Sequence, residues 1–454
     1  MGRWFAVVWA AGCADPGWHL RSETLAESPS TVPVGGVWAR SGPVALSGGP
    51  ATPIELGEGC GYTVVAAGDI DQDGVPDVAV GCGDEDLRYL SGNQLGGGAV
   101  EEVGAVSVRA GFLRESVLSL GDLDGDGRDE IGVEEFWTGA WGLVLAGSDV
   151  AGASSVTDRE IGWSLWADAD HEPTIGVSPA GDYDGDGFPD VAIAAMASSG
   201  MDSRLYIGSG AALAGLATGG SIDLARDALA TFTVDVSLGP VRRVSSPGDL
   251  DGDGLDELAV SLLQTDGFAS PEGASPEVRI VRGGTASGRL DDATVITAVN
   301  VFARDVDGVV TPVGDVDGDG RDELVVTLSG FSSSEDQWHG VAVLSGADVP
   351  VSGSVDVAGH LLADADLGRT TACDLDGDGA PELVTAHGIF RRADLLTPGA
   401  PPIATIDVPG ALTCAGDLDG DGASDLVLGD PWLGPSLGDA RVGPAGRTGY
   451  QLWP

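Results

Sequence analysis

The chain has 454 residues, of which 73 are glycine and only 6% are aromatic, and its formal net charge is −49 at pH 7. Abundant glycine without a strong helical pattern favours short strands joined by tight turns, hence an all-β fold. The acidic balance excludes nucleic acid as a partner, because the chain has no basic patch to neutralise phosphates.

The N-terminal residues 1–13 resemble an export signal, with Arg3 followed by the apolar residues 4–11. Cys13 follows Ala10-Ala11-Gly12, which resembles the processing box of bacterial lipoproteins, although Ala10 stands where leucine is usual. We expect a cell-envelope protein lipidated at Cys13, or a secreted one with a plain signal peptide and Cys13 removed or free. Residues 14–36 are polar and predicted to be a flexible tether, and residues 37–454 form the folded body. No later apolar run reaches the roughly 18–20 residues that span a bilayer, so membrane attachment is expected only through a lipidated Cys13.

Seven acidic loops recur along the body, and in each of them positions 1, 3 and 5 are aspartate, position 6 is glycine and position 9 is acidic. Oxygen ligands at positions 1, 3, 5 and 9, with a backbone carbonyl at position 7, suit a Ca²⁺ ion of six to eight ligands. Glycine at position 6 permits the sharp turn around the ion. The sequence therefore predicts up to seven Ca²⁺ ions as cofactors.

The predicted ligands are as follows. Position 1 is Asp69, Asp122, Asp182, Asp249, Asp315, Asp374 and Asp417 in loops 1 to 7. Position 3 is Asp71, Asp124, Asp184, Asp251, Asp317, Asp376 and Asp419, and position 5 is Asp73, Asp126, Asp186, Asp253, Asp319, Asp378 and Asp421. The carbonyl at position 7 belongs to Val75, Arg128, Phe188, Leu255, Arg321, Ala380 and Ala423. Position 9 is Asp77, Glu130, Asp190, Glu257, Glu323, Glu382 and Asp425.

The loops are not EF-hands, because those require a bidentate glutamate at position 12 and helical flanks. Position 12 is never acidic here, and the flanking residues, such as the apolar triplet at 191–193, are typical of buried strands. The loops begin 43 to 67 residues apart, and a short strand ending in small residues follows most of them. Four strands in each such unit is the pattern of a β-propeller blade.

The sequence resembles the FG-GAP repeat family, the repeat of the integrin α-subunit head. The resemblance rests on units such as residues 61–81, GYTVVAAGDIDQDGVPDVAVG, and covers roughly residues 40–450. It implies a seven-bladed β-propeller with Ca²⁺ held in the hairpin between the first two strands of each blade. Ring closure would need both termini in one sheet, from residues 44–49 or 52–56 and from 440–442 or 450–453.

Four cysteines lie within the body. Cys60 and Cys82 flank loop 1, whereas Cys373 and Cys414 precede loops 6 and 7 at the same end of neighbouring strands. Export would permit disulfides, so we predict the pairs Cys60–Cys82 and Cys373–Cys414, with buried free thiols as the alternative.

The calcium sites are predicted to be structural. Without metal, each loop crowds four carboxylates that repel one another. A Kd of ~10⁻⁴ M in millimolar Ca²⁺ would contribute roughly 1.4 kcal/mol per site, or about 10 kcal/mol over seven sites. The alternative is an ion with an open position that binds a carboxylate of a partner.

We do not expect an enzyme. The G-x-S-x-G pattern at residues 434–438 lacks a strand-to-helix context, and no histidine follows it. Non-repeating loops are better candidates for recognition, with Trp137, Trp141 and Trp338 as residues that could stack on a sugar or peptide, or else pack as core. The resemblance suggests adhesion to a protein or carbohydrate. The alternatives are a purely structural envelope protein and a non-catalytic remnant or partner of a propeller-containing hydrolase or lyase.

Overall fold

The computed structural model of the protein describes residues 5–9, 52–55, 60–82, 86–95, 102–107, 117–134, 141–151, 156–157, 163–166, 171–173, 177–197, 203–216, 219–234, 241–262, 277–297, 310–331, 337–350, 352–364, 370–385, 388–404, 411–418 and 422–430. The tether predicted at 14–36 lies outside these residues, so its boundaries stay a prediction.

Almost all of the regular structure is β-strand. The strands are β1 (Phe5–Trp9), β2 (Thr52–Glu55), β3 (Cys60–Gly68), β4 (Asp77–Cys82), β5 (Asp86–Leu90), β6 (Glu102–Ser107), β7 (Val117–Gly121), β8 (Glu130–Glu134), β9 (Trp141–Leu145), β10 (Val156–Thr157), β11 (Trp163–Trp166), β12 (His171–Pro173), β13 (Ser178–Gly181), β14 (Asp190–Ala197), β15 (Ser203–Gly208), β16 (Ser221–Asp223), β17 (Ala230–Val234), β18 (Val241–Gly248), β19 (Glu257–Leu262), β20 (Glu277–Val281), β21 (Gly288–Arg289), β22 (Thr294–Thr297), β23 (Val310–Pro312), β24 (Leu324–Phe331), β25 (Gln337–Leu344), β26 (Ser354–Asp356), β27 (Leu361–Asp364), β28 (Thr371–Cys373), β29 (Glu382–Val384), β30 (Ile389–Phe390), β31 (Ala411–Cys414) and β32 (Leu426–Asp430).

The described helices are short and follow the third strand or lead into the fourth. They are α1 (Gly92–Leu95), α2 (Gly147–Val150), α3 (Gly210–Ala214) and α4 (Leu224–Asp227), with 3₁₀ turns at Leu290–Asp292, Gly346–Asp348, Val357–His360 and Arg392–Asp394. None of them has the length and apolar character needed to cross a bilayer.

The strands form seven sheets arranged in a ring, each numbered by the acidic loop it contains. The innermost strands β3, β7, β13, β18, β23, β28 and β31 lie side by side, and β31 contacts β3 again. In sheets 1 to 6 the strands succeed one another as an antiparallel meander, for example β18–β19–β20–β22 in sheet 4. This arrangement is an all-β propeller.

The number of blades differs from the seven predicted. Six sheets are meander blades, whereas sheet 7 has one antiparallel hairpin, β31–β32, completed by β1 and β2. These two strands run parallel to their neighbours, with β1 between β32 and β2, so sheet 7 lacks the strand order of a blade. Its predicted C-terminal strands at 440–442 and 450–453 lie outside the described residues. Within the described residues, the protein thus has six blades and one mixed sheet rather than seven blades.

The outer strand of a blade pairs with a short strand from the next unit along the chain. β10, β16, β21 and β26 each precede the fourth strand of their own unit and pair in parallel with the outer strand of the unit before. Pairing of this kind satisfies edge N–H and C=O groups that would otherwise invite association with other chains. It also ties neighbouring blades together at their rims.

The cores lie between adjacent sheets, which explains why the triplet after each loop is wholly apolar. In β14, Val191 and Ile193 pack in the cluster with sheet 2, whereas Ala192 and Ala194 pack in the cluster with sheet 4. A strand buried on both faces carries a continuous apolar run rather than an alternating one. The second strand of each hairpin therefore places its preceding loop between two rigid cores.

Candidate metal centres

Each acidic loop joins the first two strands of its sheet, and its position-1 aspartate organises the turn. The position-1 carboxylate accepts a hydrogen bond from the position-6 N–H in all seven loops, at 2.8–3.0 Å. The position-6 glycines have φ between 84° and 90°. That left-handed conformation favours glycine, so its recurrence at position 6 has a backbone cause.

The position-9 carboxylates are buried and join the loop to the third strand. In every loop, one carboxylate oxygen accepts the N–H of position 2, as in Ile70 N–H to Asp77 Oδ2 at 2.9 Å. In loops 1 to 4 the other oxygen accepts the N–H of the glycine that follows the third strand, as in Gly92 to Asp77 Oδ1 at 2.9 Å. The same second bond reaches Gly147, Gly210 and Gly283. Position 9 is therefore structural as well as a candidate ligand.

Carboxylate oxygens converge at positions 1, 3 and 9. In loops 1 to 5 one oxygen from each of these residues lies within 4.8 Å of the other two. The groups are Asp69, Asp71 and Asp77; Asp122, Asp124 and Glu130; Asp182, Asp184 and Asp190; Asp249, Asp251 and Glu257; and Asp315, Asp317 and Glu323. Position-5 aspartates are not members of these groups; in loop 1 Asp73 Oδ1 accepts the N–H of Val75 at 2.9 Å.

Burial raises the pKa of the position-9 carboxyls of loops 1 to 6. The pKa rises to about 6 for Asp77, to about 7 for Asp190, Glu257 and Glu323, and to about 8 for Glu130 and Glu382, with desolvation as the largest cause in each. The neighbouring aspartates add repulsion, which the hydrogen bonds from backbone N–H groups oppose. Each cluster therefore favours a proton or a metal cation over bare charge.

In chelator, the melting temperature is expected to fall by several degrees between pH 5 and pH 8. A carboxyl with a raised pKa in the folded chain retains its proton on folding, so its contribution to the free energy of unfolding is complete below about pH 4. That contribution disappears as the pH rises through 6 to 8. Thermal unfolding at pH 5, 6.5 and 8 in chelator tests this, and a melting temperature that increases over the interval would contradict it.

Neighbouring loops contact each other through position 8. Asp256 of loop 4 donates its N–H to the Asp182 carbonyl of loop 3 at 3.1 Å and accepts the Asp182 N–H at 2.9 Å. Asp322 of loop 5 makes the same pair of bonds with Asp249, at 2.7 and 3.0 Å. A Cβ at Gly181 would lie 2.1 Å from the Asp256 carboxylate, so this contact requires glycine before loop 3. Proline at position 8 of loops 1, 3 and 6 has no N–H to donate.

The structure brings together both predicted cysteine pairs. Cys60 and Cys82 are bonded across the hairpin β3–β4, with Cα atoms 3.8 Å apart. Cys373 of β28 is bonded to Cys414 of β31, with Cα atoms 5.4 Å apart, and this bridge joins sheet 6 to sheet 7. Because sheet 7 has a single antiparallel hairpin, the second bridge fastens the least regular sheet to the ring.

Removing the second bridge in the variant C373A/C414A is expected to lower the free energy of unfolding by about 4 kcal/mol, the chain-entropy value for a closed loop of this length. Denaturant unfolding of the oxidised proteins measures the difference. C60A/C82A is the matched control, since its shorter loop predicts about 3 kcal/mol and leaves the contact between sheets 6 and 7 unchanged. Four cysteines alkylated without reductant would show that neither bridge forms.

Several predicted site residues lie in strands away from the acidic loops or outside the described residues. Asp419, Asp421, Cys13 and Trp137 fall outside them. Trp141 lies in β9, opposite Trp166 of β11, and Trp338 lies in β25, opposite Gly330 of β24. Trp141 and Trp338 therefore belong to different sheets, and the role of all three tryptophans in ligand binding stays a prediction.

Sequence reasoning missed the cations beside the loops. Arg128 of loop 2 donates to the Ile70 carbonyl of loop 1 at 2.7 Å and forms a 3.0 Å ion pair with Asp126. Arg282 lies against loop 4, where its Nη1 is 3.1 Å from Asp251 Oδ2. For Arg282 the available signal was its place directly before Gly283, because the corresponding residue of units 1, 3 and 5 is serine.

Fold and site together define a β-propeller protein with repeated acidic hairpins. A family model described as FG-GAP repeat matches residues 176–208, the segment that contains β13, loop 3, β14 and β15. The resemblance to the FG-GAP β-propeller family is therefore confirmed by the match and by the ring of sheets. A search of curated proteins gave no match to this chain.

Proposed function

We propose that this protein is a calcium-binding β-propeller that acts outside the cytoplasm as a binding module for a protein or carbohydrate. The observation that carries the calcium proposal is the convergence of carboxylates from positions 1, 3 and 9 in successive hairpins. Two oxygens that each lie about 2.4 Å from one Ca²⁺ are at most about 4.8 Å apart, so the spacing fits the ion. The groups contain neither histidine nor cysteine, which favours a hard cation such as Ca²⁺ over zinc.

In this proposal, position 1 and position 3 hold the ion, and position 9 connects it to the third strand. Calcium would supply positive charge that neutralises the carboxylates, while the chain's own N–H groups orient them. The ions are structural, because they would hold loops that contact one another, as loops 3, 4 and 5 do through backbone and position-8 groups. Recognition belongs to loops that do not repeat, as is usual for propellers.

Calcium stoichiometry tests the metal proposal. Native mass spectrometry after equilibration in millimolar Ca²⁺ should give several bound ions, and D182N/D184N in loop 3 should bind one fewer than the unsubstituted chain. D223N/D227N, which removes two exposed carboxylates from the same unit, is the charge-matched control and should leave the number unchanged. Absence of bound calcium in all three proteins would contradict the proposal.

Adhesion-type binding has its own test. Glycan and protein arrays probed with the whole protein in Ca²⁺ should give a signal that disappears in chelator. No signal in either buffer would contradict the ligand-binding role and favour the structural alternative.

Export is part of the same proposal. FG-GAP repeats are typical of exported proteins, and Cys13 follows a segment suited to signal processing. Lipid attachment at Cys13 should give a mature protein that begins at this residue, no longer contains the β1 residues Phe5–Trp9, carries a lipid mass and partitions into detergent. The variant C13S should lose the lipid mass; an unmodified mature N-terminus in the unsubstituted protein would contradict lipidation.

We also propose a non-catalytic role, because no motif in the sequence supplies a nucleophile with its base.

A further inference from the structure

The acidic loops are not equivalent, and loop 4 differs in what faces its carboxylates. The difference arises at the residue directly before the turn that follows the third strand, here termed the pre-turn residue. The pre-turn residues of units 1 to 5, each followed by a glycine, are Ser91, Ala146, Ser209, Arg282 and Ser345, whereas Arg391 at the corresponding place in unit 6 is followed by Arg392. Their equivalence follows from the next residue, since Gly92, Gly147, Gly210 and Gly283 all donate an N–H to their own position-9 carboxylate.

Arg282 directs its guanidinium group at two candidate metal ligands. Its Nη1 lies 3.1 Å from Asp251 Oδ2 and 3.6 Å from Glu257 Oε2, the carboxylates of positions 3 and 9. Glu257 is fully buried and the Arg282 side chain is only 16% exposed. A buried carboxylate is stable only when a positive charge or hydrogen-bond donors compensate it, and Arg282 provides the charge.

The same guanidinium is fixed on its other side. Arg282 Nη2 donates to the carbonyls of Val349 and Pro350 in unit 5, at 3.3 and 3.2 Å. The Pro350 carbonyl also accepts a hydrogen bond from Thr294 at 2.8 Å. Rotation of Arg282 away from loop 4 would therefore break contacts between units 4 and 5.

We infer that loop 4 is a metal-independent loop in which the Arg282 guanidinium replaces the calcium ion. This inference rests on the proposed calcium binding of the other loops. A divalent ion ligated by Asp251 and Glu257 would lie within a few ångströms of the guanidinium, and two cations at that distance in a partly buried site repel strongly. Loop 4 is therefore neutralised within the chain and stays ordered when calcium is removed.

Exchange of pre-turn residues tests the inference in both directions. R282S introduces the serine of units 1, 3 and 5 and should bind one calcium ion more than the unsubstituted protein by native mass spectrometry. S345R places arginine beside loop 5 and should bind one fewer. R282K keeps a positive charge and should gain none, and R289S, which removes an exposed arginine of the same unit, should leave the number unchanged.

A second measurement separates this inference from the general calcium proposal. In chelator, R282S should melt several degrees below the unsubstituted protein, because its carboxylates have lost their cation, and millimolar Ca²⁺ should restore most of the loss. R289S should show neither effect. If the unsubstituted protein binds no calcium but R282S is destabilised in chelator by more than R282K, the internal cation is supported and the calcium proposal fails.

Two results would overturn the inference. The first is an unchanged melting temperature of R282S in chelator, which would show that the guanidinium does not stabilise the loop. The second is a calcium-binding protein in which R282S binds no additional ion. Should R282S fail to fold, S345R decides the matter, since an undiminished ion number in that variant also contradicts replacement of calcium by arginine.

Discussion

Removal of calcium is expected to lower the melting temperature of the protein by about 10 °C. With a Kd of ~10⁻⁴ M in millimolar Ca²⁺, each ion contributes roughly 1.4 kcal/mol, and six occupied loops contribute about 8 kcal/mol. Loop 4 is left out of this sum because Arg282 already faces its carboxylates. A loss of this size is comparable to the total stability of an ordinary domain.

Thermal unfolding in Ca²⁺, in chelator, and in chelator with excess Mg²⁺ measures the effect. Magnesium is the control, because it has the same charge but requires shorter bonds and gives up its water reluctantly, so it should restore little of the loss. A shift of only one or two degrees in chelator would contradict structural calcium sites. Full recovery in magnesium would mean that charge neutralisation alone is sufficient.

Much of the fold follows from the repeat itself. Three sequence features predicted a propeller of short strands: the spacing of the loops, the glycine at position 6 and the apolar triplets. The structure has this architecture. The triplet after loop 3 shows why, since its residues alternate between the cores on either side of β14. Such features can be predicted from the sequence because the tight turn and the burial of both strand faces each constrain residues that are adjacent in the chain.

Contacts between units were not predictable in the same way. Asp256 follows the pattern of its own loop, yet its carboxylate accepts a hydrogen bond from the N–H of Asp182 in the preceding loop. Nothing near position 8 indicates this, because the partner lies 74 residues away. The parallel pairing of β1 with β32 was likewise not predictable from local sequence, because it depends on residues at the other end of the chain.

Loops with the same sequence pattern thus differ in the residues that surround them. In loop 4 the third strand supplies an arginine, whereas the corresponding residue of loops 1, 3 and 5 is an uncharged serine. A mixture of metal-dependent and metal-independent hairpins would let part of the ring remain ordered when calcium is low. The position-9 carboxylate is common to both kinds, which suggests that it has a structural role separate from metal binding.

Substitution of Asp190 is expected to destabilise the protein with or without calcium. Its two carboxylate oxygens accept the N–H groups of Tyr183 at 3.1 Å and Gly210 at 2.9 Å, and the residue is fully buried. D190A leaves both N–H groups buried without that acceptor, at a cost of about 1–3 kcal/mol each, so a loss of about 4 kcal/mol is expected. Denaturant unfolding in chelator should show this loss, and in Ca²⁺ the loss should be larger by the roughly 1.4 kcal/mol that the bound ion contributes.

Asp184 of the same loop is the matched control, because it is a candidate ligand without that structural role. Its carboxylate accepts only the exposed N–H of Asp186 among the bonds described for it, and burial together with the charges of Asp186 and Asp182 raises its pKa. In chelator, D184A should be neutral or slightly stabilising, since it relieves repulsion, whereas in Ca²⁺ it should lose roughly 1.4 kcal/mol with the ion. Equal losses for D190A and D184A in both buffers would show that positions 3 and 9 do not have separate roles.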